Sequence, residues 1–161
     1  MYDISRVAYN LVKLLAARGL KCATAESCTG GGIGAAITAI PGSSAVFEGG
    51  VISYSNAVKN NVLGVLASTL EEFGAVSSET AAQMASGVLK LTKADLAVAV
   101  TGIAGPDGGS EEKPVGTVWF GLATKAGVRT EKALFTGDRE EVRKKTVLHA
   151  LGMLTVAVTP A

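Results

Sequence analysis

The chain has 161 residues, of which 48% are hydrophobic and 18% charged, a size and composition suited to one folded domain with no disulfide support. A net charge of +1, with no basic stripe among its few aromatics, leaves no footprint for nucleic acid. Cys22 and Cys28 form neither a CxxC pair nor a zinc-type cluster. No apolar run reaches the ~18–20 residues that a membrane span needs, and the N-terminus lacks a signal-peptide core, so a cytoplasmic protein with neither membrane nor nucleic-acid partners is expected.

Ile4, Val7, Ala8, Leu11, Leu14 and Leu15 recur with the helical period, with Asp3 placed to cap their start and Gly19 their end. A strand is predicted over 20–25. The cluster Gly30-Gly31-Gly32 then opens a helix over 33–40, which Pro41-Gly42 stops. Residues 46–54 read as strand, with Gly49-Gly50 as a bulge or close backbone approach, and 56–63 as a short helix. Ser68-Thr69-Leu70-Glu71 has capping-box spacing for another short helix ending at Gly74. Ser77 or Ser78 caps a longer one to about Leu91, with Ala81, Met84, Ala85 and Val88 on its buried face. The unbroken apolar run 96–100 suits a strand covered on both sides. After a glycine- and charge-rich loop over 101–114, strands are predicted over 115–124 and 128–135, joined by a link short enough for a hairpin. Asp138 with Glu141 caps the last helix, whose stripe is Val147, Ala150, Leu151 and Leu154. This order predicts an α/β fold, a three-layer α/β/α sandwich with a mixed sheet, as a single domain over 1–161.

Four stretches carry polar groups that packing does not require. In 25–32, a strand end, polar residues, glycines and a helix start make an anion site, although neither P-loop nor GxGxxG spacing is present. In 42–44 and 53–59 stand serines, Tyr54 and Lys59, with no histidine nearby. The single histidine, His149, lies mid-way along the last helix, where a residue without chemistry is the simpler reading. A desolvated lysine is the other way to activate serine, and Tyr54 and Lys59 flank one strand-to-helix corner. In 101–110, four glycines follow the buried strand directly, where ligands bind in open α/β sheets. Arg139 stands in the first turn of the last helix, in reach of a phosphate or simply in solvent. Cys28 is a weaker candidate nucleophile, and Glu111-Glu112 matches no metal-ligand pattern. Arg143-Lys144-Lys145 reads as a solvated helix face.

Three runs resemble the CinA C-terminal domain family: TAESCTGG at 24–31, GSSAVFEGGVISYSNAVKNNVLGV at 42–65 and TGIAGPDGGSEEKPVGTVWFGLAT at 101–124. The family includes stand-alone nicotinamide-nucleotide amidases as well as two-domain proteins with an extra N-terminal domain; this length points to the stand-alone form. The resemblance implies cofactor- and metal-independent hydrolysis of nicotinamide mononucleotide to nicotinate mononucleotide and ammonia, by a homo-oligomer. It implies Ser44 as nucleophile, preferred over Ser43 on the family pattern alone, with Tyr54 and Lys59 activating it. Ser27 and Arg139 would contact substrate; Thr29, Gly30, Gly31, Thr101, Gly102 and Gly105 join them from the anion-site and loop readings. Ile52-Ser53 stands where the pattern has valine and threonine. Two rivals stay open: a non-catalytic nucleotide-binding domain, and a metal-dependent phosphatase or pyrophosphatase.

Overall fold

Strands β1 (Cys22–Glu26), β2 (Phe47–Ile52), β3 (Leu96–Gly102), β4 (Thr117–Thr124) and β5 (Gly127–Leu134) form one sheet in the order β2-β1-β3-β4-β5. β2, β1 and β3 run parallel, while β4 and β5 add antiparallel, so the sheet is mixed. The computed structural model describes residues 3–160. Among these, six helices surround the sheet: α1 (Ile4–Arg18), α2 (Gly32–Thr38), α3 (Asn56–Leu63), α4 (Ala67–Phe73), α5 (Ser78–Thr92) and α6 (Arg139–Val158). None is long and apolar enough to cross a membrane.

The side-chain period of a strand decides what each face of the sheet can hold. Leu96, Val98 and Val100 of β3, with Phe120 and Leu122 of β4, point into a bulky core shared with α1, α2 and α6. The intervening Ala97 and Ala99, with Ala23, Ala25 and Ala123, line the other face under Met84, Ala85 and Val88 of α5. Alanine there lets α5 approach closely. A Cβ on Gly121 would lie 2.4 Å from the Ala81 carbonyl oxygen, and one on Gly87 only 1.9 Å from that of Leu63 at the end of α3. The three layers are thus α1/α2/α6, the sheet, and α3/α5.

The expected caps form at both long terminal helices. Asp3 accepts from the Arg6 N–H at 3.0 Å, Asp138 accepts from the Glu141 N–H at 2.9 Å, and Gly19 ends α1 in the left-handed region. At α4 the helix starts one residue before Ser68, and no side chain caps it from Leu66. Gln83 of α5 does the work instead, accepting from the Leu66 N–H at 2.9 Å and donating to Thr69 Oγ1 at 2.9 Å. A tertiary contact has replaced the local capping box.

Because β1, β2 and β3 are parallel, Glu26, Ile52 and Gly102 finish at one edge of the sheet. The residues that follow each strand therefore gather there, together with the loop before β4 and the start of α6.

Candidate active site

Ser27 is the first residue past β1. Its N–H still donates to Val100 O of β3 at 3.1 Å, and the Ser53 N–H donates to Glu26 O at 2.7 Å, so both neighbouring strands pin its backbone. Ser55 caps α3 by accepting from the Val58 N–H at 3.2 Å, which sets Lys59 one turn into the helix, facing inward. Lys59 is only 1% exposed. Its Nζ lies 3.0 Å from Ser27 Oγ, 2.7 Å from Ser53 O and 3.2 Å from Tyr54 O.

This ring of three oxygens suits either protonation state. An ammonium donates to all three. A neutral amine has two N–H groups, which the Ser53 and Tyr54 carbonyls accept, leaving its lone pair toward the Ser27 hydroxyl. Burial holds the Lys59 pKa below its ordinary value of 10.5, which favours the neutral form. Burial also pushes the Cys28 thiol up to about 12, with the Glu26 carboxylate adding to the rise, so Cys28 stays an unreactive thiol at neutral pH.

Ser27 and Lys59 open onto a cavity of about 270 Å³, whose walls also carry Tyr54, Thr101, Gly102 and Arg139. Arg139 Nη1 donates to Gly105 O at 2.8 Å, tying the 103–116 loop to α6. The Thr101 hydroxyl is turned to the structure, donating to Ala75 O at 2.8 Å. Cys28, Asn56, Ala75, Val76 and Ala104 complete the lining; of these, Ala75 and Val76 lie outside every stretch that the sequence marked as a candidate site. The Thr29 N–H has no hydrogen-bond partner among the described residues, and that of Cys28 has its own thiol.

Several expected site residues stand elsewhere. Ser44 does not meet Lys59 within the chain. It lies exposed in a 3-10 turn (Ser43–Ala45) before β2, whereas Lys59 comes after that strand. The six residues of β2 separate the two, a span of roughly 20 Å at about 3.3 Å per residue. Ser43 shares this opposite edge. The Tyr54 ring is 64% exposed at the cavity rim, and this residue reaches Lys59 through its carbonyl rather than its hydroxyl.

The glycine-rich start of α2 is no free anion site. The Glu26 carboxylate, itself 2% exposed, accepts from the N–H groups of Ile33 and Gly34, both at 2.9 Å, and from the Thr29 hydroxyl. The protein supplies its own anion to that helix end. Gly30 and Gly31, at φ +59 and +103, shape this turn and do not line the cavity. Gly105 serves through its carbonyl to Arg139. His149 sits away from the cavity, 2.9 Å from Glu131 Oε1 and stacked on Phe120, so no histidine enters the site.

The CinA C-terminal domain family matches residues 4–158. The chain belongs to the CinA C-terminal domain family. The nicotinamide-nucleotide amidohydrolase PncC of Enterobacter agglomerans is 58% identical over 138 residues, covering 85% of this chain and 84% of that protein. The Escherichia coli K12 protein of the same name is 49% identical over 153 residues, covering 94% and 93%. A competence-damage inducible relative in Halothermothrix orenii is 60% identical, but the match covers 86% of this chain and 34% of that protein, so the chain spans about a third of these longer CinA relatives. Among solved structures, the competence/damage inducible protein CihA of Agrobacterium tumefaciens superposes with a TM-score of 0.94 at 47% identity, covering 98% of this chain and 96% of that one. This CinA architecture is therefore shared throughout the described residues.

Proposed function

We propose that this CinA-family chain is an amidase that hydrolyses nicotinamide mononucleotide to nicotinate mononucleotide and ammonia, with Ser27 as nucleophile and Lys59 as its base. The observation that carries the reading is the 3.0 Å approach of Lys59 Nζ to Ser27 Oγ inside a cavity that also holds Arg139. The substrate comes from the named activity of the PncC relatives, which this chain matches over most of both lengths.

In the first step neutral Lys59 takes the Ser27 hydroxyl proton as Oγ bonds to the carboxamide carbon. The carbonyl oxygen gains the negative charge, and the unpartnered Thr29 N–H, two residues after Ser27, is a donor for it. One such donor is worth about 2.7–4 kcal/mol of transition-state stabilisation. Lys59 then returns the proton to the departing nitrogen, and the C–N bond breaks to release ammonia. Water, deprotonated by Lys59, cleaves the acyl-enzyme to the carboxylate and restores the Ser27 hydroxyl. Arg139 faces the cavity with a permanent positive charge and is the group to hold the nucleotide phosphate.

Purified protein incubated with nicotinamide mononucleotide in the presence of EDTA should release ammonia and no inorganic phosphate. Absence of ammonia would favour the binding-domain reading. Phosphate release lost to EDTA would favour a metal-dependent phosphatase.

A further inference from the structure

We propose that Arg143 is a positioning residue for this reaction: from α6 it fixes the Cys28–Thr29 peptide plane and so aims the Thr29 N–H that meets the oxyanion. The inference rests on the reading of Ser27 as nucleophile. Arg143 Nε donates to Cys28 O and its Nη2 to Thr29 O, each at 3.1 Å, across more than 110 positions of sequence. The planar guanidinium fork suits two consecutive carbonyls, whereas an ammonium is a single point donor.

The N–H of a trans peptide points opposite to its carbonyl. Holding Cys28 O toward α6 therefore turns the Thr29 N–H away from α6, and holding Thr29 O does the same for Gly30, whose N–H donates to Ser27 O at 3.1 Å. Thr29 O also accepts from the Gly32 N–H at 3.0 Å, whereas Cys28 O has no other donor among the described residues. The Thr29 N–H is unpartnered among the described residues, and Gly30 and Gly31 impose no side-chain restriction. Glu26 secures the far end of the turn, through Thr29 Oγ1 and the start of α2. Arg143 is the one donor to Cys28 O among the described residues, and so holds the peptide plane that carries the Thr29 N–H.

Arg143 acts from behind the loop. It lines a separate hollow with Thr29, Gly32, Glu140, Lys144 and Val147, not the cavity that holds Lys59. It touches no substrate position, and its side chain is otherwise on the surface of α6.

The test uses the whole protein with nicotinamide mononucleotide. Arg143→Ala should lower kcat about 10- to 100-fold, less than the roughly 100- to 1,000-fold of losing an oxyanion donor outright, with KM within about threefold of the parent. Arg143→Lys should fall between the two, and millimolar methylguanidinium should raise kcat of Arg143→Ala but not of the parent. Lys144→Ala, one position along, should match the parent. Unchanged kcat in Arg143→Ala overturns the proposal. So does a loss that follows the folded fraction measured by circular dichroism, or a rise in KM alone. Ser27→Ala separates the two layers: if it keeps full activity, the nucleophile reading fails and this inference with it. If it is inactive while Arg143→Ala is fully active, only the positioning role fails.

Discussion

Lys59 Nζ lies 3.0 Å from Ser27 Oγ, although 32 positions separate the two residues in the chain. The contact exists because β1 and β2 are parallel neighbours, so the residue after one strand meets the helix that follows the other. Both partners are buried, and two backbone carbonyls complete the lysine's surroundings.

Loss of the nucleophile is the first prediction. Ser27→Ala should reduce kcat by about four orders of magnitude or more, as removal of an activated serine does elsewhere. Ser44→Ala should stay within about twofold of the parent, because Ser44 is exposed at the opposite edge of the sheet. Ammonia release under saturating substrate measures both, and an inactive Ser44→Ala that remains folded would return the role to that residue.

The state of Lys59 sets the pH dependence. A base must be unprotonated, so kcat/KM should rise with pH along a limb whose midpoint lies below the ordinary lysine value of 10.5. The limb should vanish in Lys59→Met along with the activity. Stability follows the same group. Between its lowered folded pKa and 10.5 the unfolded chain holds the proton that the folded chain has released. Stability contributed by this group therefore rises with pH across that interval and is lost as pH falls through the folded pKa. Urea midpoints at several pH values, compared between the parent and Lys59→Met, would show the difference in slope.

Glu26 is expected to matter chiefly for folding. Its carboxylate takes the two N–H groups at the start of α2 and the Thr29 hydroxyl in a buried setting. Glu26→Ala leaves those donors unsatisfied and should cost about 2–3 kcal/mol in urea unfolding. A cost below about 0.5 kcal/mol would mean that water reaches the helix start.

Arg139 should discriminate substrates by their phosphate. Arg139→Ala should raise KM for nicotinamide mononucleotide about 10- to 100-fold, the loss of one charge-assisted bidentate contact. A phosphate-free nicotinamide riboside should show nearly equal kcat/KM in the two proteins. An equal loss on both substrates would instead trace the effect to the hydrogen bond to Gly105 O and the loop it tethers.

Three placements mark where sequence reasoning stopped short. The resemblance implied Ser44 as nucleophile, yet the GSS run precedes β2 while Lys59 follows it, and in a parallel sheet those positions lie at opposite edges. The signal for Ser27 was present: a polar residue directly after a strand, at the edge where ligands bind. The glycine cluster was read as a site for a substrate anion, but Glu26, one turn of chain earlier, folds back to fill it. Arg143 reads as a solvated helix residue because nothing within its own helix signals a contact with Cys28 and Thr29.

Taken alone, the amino-acid order determined the long helices, the hairpin and the caps at Asp3 and Asp138. Such features depend on residues within a few positions of one another, through hydrophobic period and local hydrogen bonds. Only the tertiary structure decided which hydroxyl Lys59 meets, which anion caps α2, and what Arg143 holds. Those answers come from pairing between segments dozens of residues apart, where strand direction, rather than local chemistry, chooses the neighbours.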